Sequence, residues 1–149
     1  MNIFVLDEDP VLAAQYHCDK HVVKMVLETA QILSTVSGLG GYRKTHERHP
    51  CVLWAGTNQA NYDWLVQLGL ALGTEYTYRY DKVHKSEAVI RECAEYDQLL
   101  AGERTQFKQC MPLHLIAYKD PVRGYRDYYM KEKRHFCTWK RRTKPEWFV

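Results

Sequence analysis

The apolar positions of this chain recur mostly at helical spacing. One short apolar run, Ile3-Phe4-Val5-Leu6, predicts a buried strand or extended arm. Asp9-Pro10 then supplies an N-cap followed by proline at the first helical position. Leu12, Tyr16, Val23, Val26, Leu27, Ala30 and Leu33 share one arc of a helix running to about Ser37, where Gly38 ends it. Pro50 opens a short helical piece to Ala55, and Gly56-Thr57-Asn58 interrupts it and caps a longer helix from about Gln59 to Lys82. Ser86 caps a helix from Glu87 to Leu100. Residues 101–119 read as irregular, with Met111-Pro112 breaking any helix. Asp120-Pro121 repeats the cap signal ahead of a last helix, roughly Val122 to Phe136. The expected fold is mainly α: one domain over residues 1–149, a bundle of four to five helices with an extended N-terminal arm and a docked basic-aromatic C-terminal tail.

The polar side of the first helix changes this picture. His17, His21, Lys24 and Glu28 follow one stripe at i, i+4, i+7 and i+11, and Asp19 sits within the apolar arc. A solvated face is the plain reading. The sharper one is the wall of a site, with groups that titrate near neutral pH, an amine and a carboxylate. On the long helix the stripe of Leu65, Leu68 and Leu72 continues into Glu75, Tyr76 and Arg79. An acid and an arginine thus fall at interior positions, either as a structural ion pair or as the closing wall of a pocket. His17 and His21 have the spacing of a helical metal half-site. A metal is possible but not favoured, because no third ligand stands at metal spacing; His46, His49 or His84 would have to supply it.

Composition narrows the class. The chain has 149 residues, eleven Tyr and four Trp, and no apolar run long enough to span a membrane. Its five cysteines, with no Cys-x-x-Cys, predict reduced thiols in a cytoplasmic protein rather than a disulfide framework. The N-terminal residues lack the basic start of a signal peptide. Net charge is +3, yet residues 121–149 hold nine Lys/Arg against three Asp/Glu, leaving a net −3 over residues 1–120. Basic residues interleaved with aromatics suit phosphates and unstacked bases. Arg134, Trp139, Lys140, Arg141 and Arg142 in the tail, Arg43 and Lys44 in the glycine-rich loop 38–49, and Trp54 are the candidate nucleic-acid contacts.

Leu12-Ala13-Ala14-Gln15-Tyr16-His17, His49-Pro50-x-x-x-Trp54 and Tyr62-x-Trp64-Leu65 together resemble the layout of the small all-α pyrimidine-dimer DNA glycosylases of the endonuclease V type. His17-Cys18-Asp19-Lys20-His21 and the ending Lys144-Pro145-Glu146-Trp147-Phe148 are similar to proteins of phage genomes. The glycosylase family uses an N-terminal α-amine as nucleophile and a glutamate on the first helix. Extended without gaps from His17, the glutamate position falls at Lys24; the nearest carboxylates are Asp19 and Glu28. The second residue, Asn2, is too large to favour removal of Met1. The resemblance implies the architecture and a DNA-facing first helix, and these departures point away from the same excision chemistry toward another reaction on that scaffold; the expected function is a phage-type enzyme acting on a pyrimidine base or nucleotide in DNA, by modification or excision. In that enzyme His17, Asp19, His21, Lys24, Glu28, Glu75 and Arg79 form the catalytic set, and His21→Ala or Lys24→Ala abolishes activity without unfolding the chain. The alternatives are a non-catalytic module binding nucleic acid or a host protein, and an enzyme acting on a free nucleotide or small molecule.

Overall fold

The computed structural model describes residues 1–149. It is helical throughout, without strands. Six α-helices follow in order: α1 Pro10–Tyr16, α2 Asp19–Ser37, α3 Pro50–Ala55, α4 Gln59–Tyr80, α5 Glu87–Cys93 and α6 Pro121–Tyr128. A one-turn 3₁₀ segment, Leu113–Leu115, precedes α6; a π-turn, Tyr129–Lys133, and a 3₁₀ turn, Arg134–Phe136, prolong it. The helical path thus reaches Phe136, as the pattern predicts. No helix is long and apolar enough to cross a membrane.

The local signals act as read. Asp9 accepts the N–H groups of Val11 and Leu12, Asn58 caps α4 through Asn61 N–H, and Asp120 caps α6 through Arg123 N–H. Gly38 closes α2 in the left-handed conformation at φ 76°, free of the strain a Cβ would bring. Helix α4 lies in the middle, packed on α1 and α2. Close approach there depends on Gly69, where an added Cβ would come within 2.8 Å of the Thr29 methyl. The arm Ile3–Leu6 pairs with no strand. It threads the middle of a single cluster of 28 buried residues, so its backbone is enclosed by side chains rather than by a sheet.

Three expectations are corrected. The helix predicted from Glu87 to Leu100 ends at Cys93; beyond it, Gln59 takes the Tyr96 carbonyl and the Leu99 N–H, holding residues 96–100 against the start of α4. Ser86 makes no cap bond; its hydroxyl is joined to Tyr42 instead. The largest correction lies at residues 17–18. The single first helix is two, because His17 and Cys18 are extended, with ψ 133° and 163°. The carbonyls and amides freed at this break are taken by distant groups. Arg79 Nη1 donates to the His17 carbonyl at 2.8 Å, Arg79 Nη2 to Gln15 at 2.9 Å, and Trp139 Nε1 to Tyr16 at 2.9 Å. The Cys18 N–H donates to the Tyr129 hydroxyl. Sequence periodicity runs straight through a break that only these tertiary partners satisfy.

Candidate functional site

Breaking the helix divides the predicted stripe. His17 turns into the core, with its Nδ1 donating to the Ala13 carbonyl at 2.6 Å and its Nε2 unpartnered. His21 is also buried, its ring tilted against Phe4 with centroids 4.3 Å apart and joined to the Tyr129 hydroxyl at 2.6 Å. Burial holds His17 down to about 4 and His21 down to about 2, so both imidazoles stay neutral. No third metal-ligating group joins them. Their surroundings are those of packed core residues, and the expected loss of activity without unfolding does not fit His21.

Asp19, Glu75 and Arg79 form a second group. Arg79 is fully enclosed and donates to Asp19 at 3.0 Å and Glu75 at 3.1 Å besides the two carbonyls; only its Nε lacks a partner. Glu75 in turn accepts Nε and Nη2 of Arg142, the shortest bond being 2.8 Å. Asp19 accepts the Thr138 hydroxyl and the Lys140 N–H. Every carboxylate oxygen here is committed. The expectation that Glu75 and Arg79 close a pocket therefore gives way to a strut that joins α4, the α1–α2 break and the tail.

The tail is docked, as its aromatics predict. Phe148 is buried against Trp139, and Trp147 packs on Tyr16 and Tyr129. Its arginines are committed to partners within the chain, at the surface as well as inside it. Arg142 serves Glu75, Arg141 forms a two-pronged pair with Asp81, and Arg134 donates to the Met130 and Val149 carbonyls. Lys140 remains exposed, with its ammonium over the Tyr80 ring. Trp54 is buried between Trp64 and Phe107 and presents no stacking face. Arg43 and Lys44 are exposed and line an open cleft of about 540 Å³ with Lys85, Leu27 and Gln31 of α2.

The remaining stripe residues, Lys24 and Glu28, meet the chain terminus. The Met1 α-amine lies 3.2 Å from Glu28 Oε1, with the Met1 and Glu28 side chains more than nine-tenths enclosed. Glu28 Oε2 has no hydrogen-bond donor; Lys24 Nζ stands 3.7 Å from it on the solvent side. Asn2 fixes the terminus. Its Nδ2 donates to the Cys110 carbonyl at 2.8 Å and its Oδ1 accepts the Ile3 N–H at 2.8 Å. Tyr125 completes the latch, since its hydroxyl lies 2.9 Å from Asn2 Oδ1 and accepts the Cys110 N–H at 3.1 Å. His49, the N-cap of α3, borders the same place. Burial first, and then the positive terminus, lower its pKa. Nine helical residues separate Glu28 from Asp19, about 13 Å along the axis, so the terminus and the Arg79 strut are separate places. Sequence reasoning passed over Cys51, Cys110 and Tyr125, named His49 only as a possible third metal ligand, and left Met1 and Asn2 out of the catalytic set. The one signal for them was the terminal amine that the family resemblance implied.

Among models of known families, that of the pyrimidine dimer DNA glycosylases matches residues 1–88. No curated protein and no solved structure matches the chain.

Proposed function

The chain belongs to the pyrimidine dimer DNA glycosylase family, and on that premise we propose that it excises pyrimidine bases from DNA with the Met1 α-amine as nucleophile and Glu28 as its carboxylate partner. The pairing of that amine with Glu28 at 3.2 Å carries the reading.

The amine nitrogen bonds to C1′ of the target nucleotide while the glycosidic bond breaks, and its electron pair leaves with the pyrimidine N1, which takes up a proton. The C1′–O4′ bond then opens with O4′ taking up a proton, so that the two protons lost by the amine are matched by those gained at N1 and O4′, and an imine is left between Met1 and C1′. Glu28 holds the amine through Oε1. Its unpartnered Oε2 is the free acceptor for the departing proton, and its charge stabilises the cationic sugar. Lys24, on the solvent side, reaches a phosphate. The cleft of Arg43, Lys44 and Lys85 continues along the same exposed face of α2 and takes the DNA backbone.

Borohydride reduction tests the chemistry, because it converts the imine into a stable covalent adduct. With a thymine-dimer or abasic oligonucleotide, the adduct is expected on the Met1 peptide and is expected to vanish when the α-amine is acetylated. An adduct on the Lys24 peptide, or none with either DNA, overturns the assignment. The phosphate face has its own measurement. Arg43→Ala/Lys44→Ala is expected to lower the slope of log K against log salt by about 2, whereas Arg141→Ala leaves the slope unchanged. Equal slopes in the wild type and the Arg43/Lys44 variant would remove that face from the interface.

A further inference from the structure

Three soft or borderline donors converge beside the terminus from two distant parts of the chain. His49 and Cys51 open helix α3; Cys110 lies in the extended segment ahead of the 3₁₀ turn at Leu113–Leu115. Their ligand atoms all lie within 4.8 Å of one another. The Cys51 and Cys110 sulfurs are 3.6 Å apart. Two thiolates bound to one tetrahedral zinc at 2.3 Å sit about 3.8 Å apart, so this pair already has the edge length of such a site. The His49 Nδ1 lone pair faces the same turn, where it accepts the Cys51 N–H at 3.1 Å.

We propose that His49, Cys51 and Cys110 bind a thiophilic divalent cation of the zinc class, with the fourth position open. Two thiols and an imidazole select such a cation over magnesium or calcium, which take oxygen ligands. Binding displaces one proton from each thiol to solvent and forms two metal–sulfur bonds. The cation replaces the Cys51 N–H as partner of the imidazole lone pair, and the ring moves inward by about 1 Å to reach bonding distance. Access is open: Cys110 is half-buried and borders a groove of about 730 Å³ lined also by Pro50, Leu53 and Lys108. The surrounding polar groups are already oriented. Asn2 Oδ1 lies 3.7 Å from the Cys51 sulfur, and Asn2 and Tyr125 hold the Cys110 backbone from both sides. A bound cation therefore ties α3 to residues 108–110 and stiffens the seat of Asn2. This inference rests on the fold alone and not on the glycosylase reading.

The test needs no DNA. Full-length protein, reduced with a phosphine and freed of metal, is titrated with zinc against a chromophoric chelator, and with cobalt(II) to read the thiolate-to-metal absorption band. One equivalent is expected to bind, with two protons released. Partners around a metal's ligands are themselves worth 10–100-fold in affinity, so Cys110→Ser is expected to weaken binding by at least about 100-fold and to erase the band. His49→Asn retains a capping side chain for α3 and is expected to weaken binding while the fold persists. Cys93→Ser, at a buried thiol bonded to Ser34, and Cys137→Ser, in the separate Cys18–Cys137 thiol pair, are expected to bind as the wild type does. No stoichiometric uptake, a band unchanged in Cys110→Ser, or a band lost in Cys137→Ser overturns the proposal. So does a Cys51–Cys110 disulfide that forms in air if the reduced protein takes up no cation.

Discussion

Arg79→Ala is expected to destabilise the protein by about 3–5 kcal/mol, the range for removing one partner of a buried ion pair. The guanidinium is fully enclosed and is held by two carboxylates and two carbonyls. Without it, the Gln15 and His17 carbonyls lose their donor at the break between α1 and α2. Asp19 and Glu75 keep part of their neutralisation from Lys140 N–H, Thr138 and Arg142, which places the expected loss within that range rather than above it. Urea unfolding measures it, as a lower midpoint at unchanged m-value. The control is Arg141→Ala, whose exposed pair with Asp81 is screened by solvent; its midpoint is expected to match that of the wild type. Equal midpoints for the Arg79 and Arg141 variants would mean that the strut does not hold the break together.

Acid is expected to unfold the protein earlier than carboxylate titration alone would. His17 and His21 have folded-state pKa values of about 4 and about 2 against an ordinary 6.5, chiefly because burial penalises the imidazolium. Between the folded and unfolded values the unfolded chain binds more protons, so stability rises with pH there. The stabilisation is complete above about pH 6.5 and is lost as pH falls. Each histidine contributes a slope approaching 1.4 kcal/mol per pH unit. For His17 the loss levels off below about pH 4, at on the order of 3 kcal/mol; for His21 it continues toward pH 2. Urea midpoints taken from pH 7 to pH 4 read the slope directly. His21→Phe keeps a ring against Phe4 and removes one proton site, so it should roughly halve the histidine part of the slope. A wild-type stability that stays flat between pH 7 and pH 4 would show that the imidazoles are hydrated in the folded protein.

Both results turn on residues that the sequence singled out for chemistry and the fold uses for support. The helical stripe on Lys24 and Glu28 was legible because spacing alone places them on one face. The exposure of Arg43 and Lys44 was legible because two adjacent cations in a glycine-rich loop stay at the surface, while the loop's Leu39 and Tyr42 are the positions that pack on the core. Trp54, His17 and His21 were not legible in this sense. Whether a tryptophan or a histidine faces solvent depends on what packs against it, and Phe107, Phe4 and Tyr129 come from far along the chain.

By itself, the sequence determined the helical class, the caps at Asp9, Asn58 and Asp120, the stop at Gly38 and the docking of the aromatic tail. These follow from interactions within a few residues, or from apolar area that has to be buried somewhere. The tertiary structure alone decided the break at His17–Cys18, the commitment of Arg79 and Arg142 to a strut, and the meeting of Met1 with Glu28. In each, a charge or a free backbone group is satisfied by a partner tens of residues away. No periodicity encodes which acid an amine will reach; the fold settles it by leaving Glu28 as the carboxylate beside the terminus.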